Sequence, residues 1–266
     1  ECLHMLGAVS AFKAYDIRGI AGVDITTDFS RRLGSAIVEF TQATSIAVGR
    51  DIRASGESLK AALIQGIVES GCTVMDLGIV PTGVVYRSTV DLDVDSAIAI
   101  TASHNPPEYN GFKIMHEGLP VAGGDLQRLK AIFESPSQGK SNSPGTILSK
   151  SEYHHTVIDA IVQDVGPLSR RVRVAVDSAN AVPGPFMVEL CDKLGVDLVD
   201  LNCSWDHEGP AHPADPTRPE NMTQLSDLVA NSDCEFGIGV DGDGDRIGVV
   251  DENGDFIHPD RLIGIF

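Results

Sequence analysis

The sequence predicts an α/β fold: two tandem domains of similar topology, each a mixed, mostly parallel sheet flanked by helices. Three observations carry that expectation. Short apolar runs of strand length alternate with helical patterns through the first half of the chain. The second half repeats the same order. Between them lies Glu134-Ser135-Pro136-Ser137-Gln138-Gly139-Lys140-Ser141-Asn142-Ser143-Pro144-Gly145, whose small, polar and helix-breaking residues read as a surface loop or linker. A domain boundary belongs near 135–150, which divides the chain into 1–148, 149–254 and a short lead, 255–266, toward further chain.

In order along the first half, Ser45–Gly49 is a short buried strand. From Glu57 to Ser70 the apolar residues Leu59, Ala62, Leu63 and Ile67 follow helical spacing, and Gly71 stands where a C-terminal cap belongs. Thr73–Leu77 returns as a strand. Ala97–Ile100 is another, and it runs directly into Thr101-Ala102-Ser103-His104-Asn105-Pro106. In the second half Val172–Val176 is a strand, Pro185–Leu194 a helix closed by Gly195, and Val196–Leu201 a strand. Phe236–Val240 is the next strand, and it runs into Asp241-Gly242-Asp243-Gly244-Asp245-Arg246. Strands joined through helices form βαβ units and parallel pairs. Ligands of open α/β sheets sit beyond the carboxyl ends of strands. Both polar loops fall at such ends, so they are expected to face one another across a cleft.

The composition narrows the partners. Of 266 residues 42% are hydrophobic and 22% charged, enough for packed cores. Lys plus Arg total 20 against 38 Asp plus Glu, a formal net charge of −18. That balance argues against nucleic acid or an anionic membrane as partner, since both need clustered cations. Any site for an anionic substrate must build positive charge locally. Arg18, Arg50, Arg53, Lys113, Arg218 and Arg246 are the cations that could line it. No run of about 18 apolar residues suggests a membrane span. The stretch Glu1–Ser10 lacks the basic region of a secretory signal, and Met5 is a candidate natural start. Cys2, Cys72, Cys191, Cys203 and Cys234 are scattered and form no C-x-x-C pair, which suits a reducing, cytoplasmic setting.

Asp241-Gly242-Asp243-Gly244-Asp245-Arg246 is the most informative run. Side chains at i, i+2 and i+4 of a regular strand stand roughly 7 Å apart. Gathering three carboxylates around one cation needs a curled backbone, which the glycines permit. Without a cation the three acids repel one another. A solvated acidic turn explains poorly why they follow a buried strand. An EF-hand loop would place Glu252 at its twelfth position. It fails because Arg246 replaces the turn glycine and because Ile247–Asp251, like Phe236–Val240, reads as a strand rather than a helix. Arg246 beside metal-binding carboxylates suits a phosphate site, where its fork donates to phosphoryl oxygens.

The second run is Thr101-Ala102-Ser103-His104-Asn105-Pro106-Pro107-Glu108-Tyr109-Asn110-Gly111-Phe112-Lys113. Ser103 sits at a strand end, two prolines stiffen the turn after it, Asn110-Gly111 reads as a second tight turn, and Lys113 comes next. The Ser103-His104 neighbour pair is weak evidence for nucleophilic catalysis, because adjacent side chains on extended chain point apart. A hydrogen-bonded structural role is the plain alternative for His104.

These runs, together with Tyr15-Asp16-Ile17-Arg18-Gly19, Gly49-Arg50-Asp51-Ile52-Arg53 and the stretch from His212-Pro213 to Pro219-Glu220-Asn221, resemble the α-D-phosphohexomutase superfamily, in particular its bacterial phosphomannomutase/phosphoglucomutase members. The motifs span most of the chain in family order. The resemblance implies that Ser103 is the phosphorylated serine. It implies that Asp241, Asp243 and Asp245 hold Mg²⁺ with the Ser103 phosphate as a further ligand, and that Arg246 touches the phosphoserine. Arg18 and Lys113 match positions near the reacting hydroxyls, where they share general acid/base duty. His104 and Asn105 are further candidates for phosphate contacts. The implied reaction moves a phosphoryl group between C1 and C6 of a hexose phosphate, mannose or glucose, through a bisphosphate. A non-catalytic divalent-metal module, a phosphatase with Asp241 as nucleophile and a phosphoglucosamine mutase are the competing readings. Thr101 and Tyr109 lean away from the last.

Three departures accompany the resemblance. The family's proline-threonine-proline turn reads Pro81-Thr82-Gly83, and its Asn-Gly-Ala-Gly-Gly turn reads Ser178-Ala179-Asn180-Ala181-Val182-Pro183-Gly184. Family enzymes have four domains, of which the third selects the sugar and the fourth binds its phosphate. No such loops come after Asp245, and Ile263-Gly264-Ile265-Phe266 reads as part of a helix leading to domain III. The chain is therefore expected to be an N-terminal two-domain portion, with domains III and IV as missing partners and little activity alone.

Overall fold

The computed structural model describes residues 11–135 and 141–265. Met5, Cys2, the rest of the Glu1–Ser10 stretch and the Pro136–Lys140 part of the breaker-rich loop lie outside the described residues. The chain divides into two units between Glu152 and Tyr153.

The first unit carries β1 (Ile17–Ile20), α1 (Thr27–Thr41), β2 (Ser45–Arg50), α2 (Gly56–Glu69), β3 (Thr73–Ile79), α3 (Thr82–Asp91), β4 (Ser96–Ile100), β5 (Tyr109–His116), β6 (Leu119–Pro120), α4 (Gly123–Glu134) and β7 (Ile147–Ser149). Its sheet runs β1-β5-β4-β2-β3-β7, with β6 beside β5. β4, β2, β3 and β7 are mutually parallel, whereas β5 pairs antiparallel with β4, β1 and β6. Sequence pattern explains the pieces. The Thr26 hydroxyl accepts the Phe29 amide and caps α1, whose Phe29, Leu33 and Ile37 turn inward. In α2, Leu59, Leu63 and Ile67 are buried while Ala62 is half-buried. Gly71 comes next in the left-handed region at φ +92°. α1 and α2 meet at backbone distance. A Cβ on Gly34 would strike the Leu63 carbonyl oxygen, and one on Gly66 the Arg31 carbonyl oxygen. Phe12, Phe29, Phe112 and Phe133 cluster in the core, with Phe29 and Phe133 centroids 4.8 Å apart.

One expectation changes here. Asn110-Gly111 is not a turn but lies inside β5, paired with Gly19 and Arg18 of β1. Glycine is needed at 111 because a Cβ would strike the Ile17 carbonyl oxygen, and buried Asn110 donates to Ser55 Oγ at 2.8 Å. The far side of the breaker-rich loop packs on the first unit, and the division into units follows it. Ser141 N–H donates to Glu69 O, Gly145 N–H to Val68 O, and β7 extends the sheet beside β3.

The second unit carries α5 (Tyr153–Val165), β8 (Arg173–Asp177), α6 (Pro183–Leu194), β9 (Asp197–Leu201), a 3₁₀ turn (Pro219–Met222), α7 (Thr223–Ala230), β10 (Phe236–Val240), β11 (Ile247–Val250), β12 (Phe256–Ile257) and α8 (Pro259–Ile263). Its sheet order is β12-β11-β10-β8-β9, parallel across β10-β8-β9 and antiparallel at β11 and β12. Side chains of β8 alternate between two cores: Val174 and Val176 pack with Cys191 and Cys203, and Ala175 with Met222, Leu225 and Val229. Helices therefore cover both faces of the sheet.

The two sheets share a plan. β5-β4-β2-β3 in the first matches β11-β10-β8-β9 in the second in order and direction. α2 and α6 make the first crossovers, α3 and α7 the second. The serine loop after β4 and the aspartate loop after β10 thus occupy equivalent places, each at the carboxyl end of a strand where the sheet turns from parallel to antiparallel. Among the described residues no helix is long and apolar enough to cross a membrane.

Candidate functional site

In the first unit, β4 ends at Ile100 and Thr101 N–H donates to Gly111 O. The Thr101 hydroxyl accepts the Ser103 amide at 2.8 Å, and Asn105 N–H closes a turn on Ala102 O. Ser103 is buried and sits in the left-handed region, φ +53°. That conformation overturns the expectation that Ser103 and His104 point apart. Their side chains meet, Ser103 Oγ lying 3.2 Å from His104 Nδ1. An extended backbone would separate them; a left-handed serine swings them together.

Arg53 fixes this loop. One guanidinium nitrogen donates to the carbonyls of Pro106 (2.7 Å) and Tyr109 (3.0 Å), and the other to those of Ser103 (2.8 Å) and Asn105 (2.7 Å). Its Nε pairs with buried Asp51 at 3.1 Å. Arg18 donates to Asn105 Oδ1 at 3.1 Å and pairs with Asp16 at 2.6 Å, so Arg18, Asn105, Ser103 and His104 form one constellation. Lys113 stands on β5 opposite Ala99, two residues beyond the Gly111 that anchors Thr101.

In the second unit the aspartate loop curls as the glycines allow. Gly244 takes φ +78°, and its amide donates to Asp241 O. One carboxylate oxygen of each of Asp241, Asp243 and Asp245 lies within 4.8 Å of the others; Asp241 and Asp243 are buried and Asp245 exposed. Asp241 Oδ1 accepts the amides of Asp245 and Arg246, and Oδ2 accepts Nε and a terminal nitrogen of Arg246 at 3.1 and 3.0 Å. With both oxygens so engaged and no exposed surface, Asp241 does not suit a nucleophile. Strands on both sides of the loop exclude the EF-hand. The donor set, three carboxylates on a preformed curl, fits a hard divalent cation.

Sequence reasoning passed over several neighbours. Asp215, in the segment over β10, lies 3.4 Å from Arg246 and accepts the Thr217 hydroxyl at 2.6 Å. His212 Nε2 meets buried Asp177 at 2.8 Å, at the end of β8. The hydrogen bond to Asp177 raises the imidazole pKa, burial opposes this, and the carboxylate's charge adds to the rise. The signal for these was the His212-to-Asn221 run itself. Three of the other candidate cations are engaged within their own units. Arg53 is spent on loop carbonyls, Arg50 pairs with Glu57 at 2.8 Å, and Arg218 with Asp215 at 3.5 Å. Of the two turn departures, Pro81-Thr82-Gly83 opens α3, and a Cβ on Gly83 would meet nothing. At the other, Ala179 takes φ +48°.

Comparison with known proteins places these loops in context. Residues 9–140 match the family described as phosphoglucomutase/phosphomannomutase, alpha/beta/alpha domain I, and residues 152–254 match domain II. A phosphoglucomutase of Neisseria meningitidis is 38% identical over 261 residues, covering 96% of this chain and 56% of the relative. A phosphomannomutase/phosphoglucomutase of Pseudomonas aeruginosa is 38% identical, covering 97% and 55%. The crystal structure of a phosphoglucomutase/phosphomannomutase family protein from Burkholderia thailandensis superposes with a TM-score of 0.90 at 37% identity, over 97% of this chain and 58% of that one. The chain thus spans little more than half the length of these relatives.

Proposed function

Because this chain belongs to the phosphoglucomutase/phosphomannomutase family of the α-D-phosphohexomutase superfamily, we propose that it carries the phosphoryl-transfer half of a phosphohexomutase acting on mannose or glucose phosphates. The observation that carries this reading is the equivalence of the two loops. A strained serine and a gathered aspartate trio stand at matching strand ends of two matching sheets.

In this reading Asp241, Asp243 and Asp245 would hold Mg²⁺, whose charge would offset that of the transferring phosphoryl group. Ser103 Oγ carries the phosphoryl group. The Oγ–P bond breaks as a bond forms from phosphorus to a hydroxyl of the hexose phosphate, whose proton passes to a base at the Arg18–Lys113 side of the loop. The bisphosphate, turned end for end, returns its other phosphoryl group to Ser103. Arg246 steadies the phosphoserine oxygens, and His104 and Asn105 border them. In this reading sugar choice rests with domain III and binding of the sugar's phosphate with domain IV, so turnover by these 266 residues alone is expected to be low. The four described cysteines are all unpaired thiols, in keeping with a cytoplasmic setting.

The test is the mass of the purified chain after exposure to a hexose 1,6-bisphosphate with Mg²⁺. A gain of about 80 Da that maps to Ser103, vanishes in Ser103→Ala and falls sharply in Asp243→Asn supports the proposal. A gain that survives Ser103→Ala, or none at all, overturns it.

A further inference from the structure

The helices of the second unit hold another set of metal-ligating side chains. His154 and His155 stand on the first turn of α5 and Glu189 on α6. One ligand atom from each lies within 4.8 Å of the others, and all three residues are half-buried. His155 Nδ1 lies 2.8 Å from Glu189 Oε1. The two imidazoles, though neighbours in sequence, have centroids only 3.9 Å apart.

Two imidazoles and one carboxylate are the donors that borderline divalent ions take, whereas Mg²⁺ seeks oxygen alone. We propose that His154, His155 and Glu189 form a three-ligand site for a cation of the zinc class, bridging α5 and α6, with its fourth position open to water. The inference stands apart from the mutase reading and uses none of its residues.

The cluster must close up to bind one ion: ligand atoms that stand within 4.8 Å of one another draw in, while the one close pair moves out. Two ligands about 2.0 Å from a tetrahedral zinc stand roughly 3.3 Å apart. The His155–Glu189 contact therefore widens by roughly half an ångström, a side-chain rotation, as the cation replaces the shared proton. The competitor is Lys193, whose ammonium lies 3.1 Å from Glu189 and 2.7 Å from Asp159. A bound cation displaces Lys193 onto Asp159 alone. The positive end of the α5 dipole opposes the cation as well.

The test is a Zn²⁺ titration of the chelator-stripped chain against a chromophoric competitor, with excess Mg²⁺ present to fill oxygen-only sites. We expect one Zn²⁺ per chain, unaffected by Asp243→Asn and weakened about 30-fold or more by His155→Ala and by Glu189→Gln. Lys193→Ala, which removes the competing cation, should bind about threefold tighter or better, an effect that misfolding cannot mimic. No uptake in the presence of Mg²⁺, uptake that ignores both ligand substitutions, uptake lost in Asp243→Asn, or weaker binding by Lys193→Ala overturns the proposal.

Discussion

Ser103 Oγ and His104 Nδ1 lie 3.2 Å apart because the backbone of Ser103 is left-handed, φ +53°. A side chain with a Cβ resists that conformation by roughly 1–2 kcal/mol. Here the surroundings over-determine it. The Ser103 amide is fixed by the Thr101 hydroxyl, and its carbonyl by Arg53. Strain of this kind is kept where a side chain must be presented in one orientation.

Replacing Ser103 by glycine and by alanine separates the strain from the hydroxyl. Both variants lose the same hydroxyl and the same capacity for phosphorylation. Glycine tolerates the left-handed region and alanine does not, so Ser103→Gly should be more stable than Ser103→Ala by about 1 kcal/mol, net of the extra chain entropy that glycine gives the unfolded state. Urea unfolding of the pair measures the difference. Equal midpoints would mean that the loop relaxes to an ordinary backbone once the serine is gone.

Arg53→Lys tests the loop's other restraint. Four carbonyls and Asp51 share one planar guanidinium, and an ammonium on a flexible stem cannot satisfy them together. Since Asp51 is buried, the charge-conserving change should still cost about 2–3 kcal/mol in the first unit. It should also slow phosphoryl uptake by Ser103 without touching metal affinity in the second unit. Unchanged unfolding and uptake would show that the loop holds its shape unaided.

Much of the fold and both polar loops were legible in the sequence because their signals are local. β2, α2, β3 and β4 announce themselves by apolar runs and the Gly71 cap, and the aspartate trio by its glycine spacing. α1 carries a Thr26 cap and a Phe29/Leu33/Ile37 stripe, but Arg31, Arg32 and Gly34 break up the pattern, and Gly34 is explained only by contact with α2. The Asn110-Gly111 pair has the chemistry of a turn, yet it is set in a strand by the backbone of Ile17, nearly a hundred residues earlier. Arg53 and His212 acquire their roles from carbonyls and a carboxylate far along the chain. No spacing rule encodes such partners.

The aspartates should divide under mutation by what each accepts. Asp243→Asn should weaken Mg²⁺ or Mn²⁺ binding about 10–100-fold, read by calorimetry. In chelator it should leave stability equal or higher, since it relieves repulsion within a trio gathered inside 4.8 Å. Asp241→Asn should weaken the metal similarly and also destabilise by about 1–2 kcal/mol, because an amide NH2 cannot accept and so forfeits either the two Arg246 guanidinium bonds at one oxygen or the two backbone amides at the other. Equal stability of the two variants in chelator would contradict the assignment of Asp241 as the loop's internal anchor.

His212 gives the second unit a pH dependence whose sign is set by its partner. Bonded to buried Asp177, the imidazole holds its proton to a higher pH in the folded state than in the unfolded chain. The folded state therefore binds more protons through the interval between the unfolded and folded values. Its stabilisation is complete below the ordinary imidazole range and is lost as pH rises through the raised value. Comparing urea midpoints at about pH 5.5 and about pH 8.5, the wild type should lose more stability on alkalinisation than His212→Gln, which cannot titrate yet can still donate to Asp177. The same comparison on Asp177→Asn should likewise flatten the difference, since the raised value depends on the carboxylate. If His212→Gln shows the full wild-type slope, the ion pair is not what ties the segment before Asp215 to the end of β8.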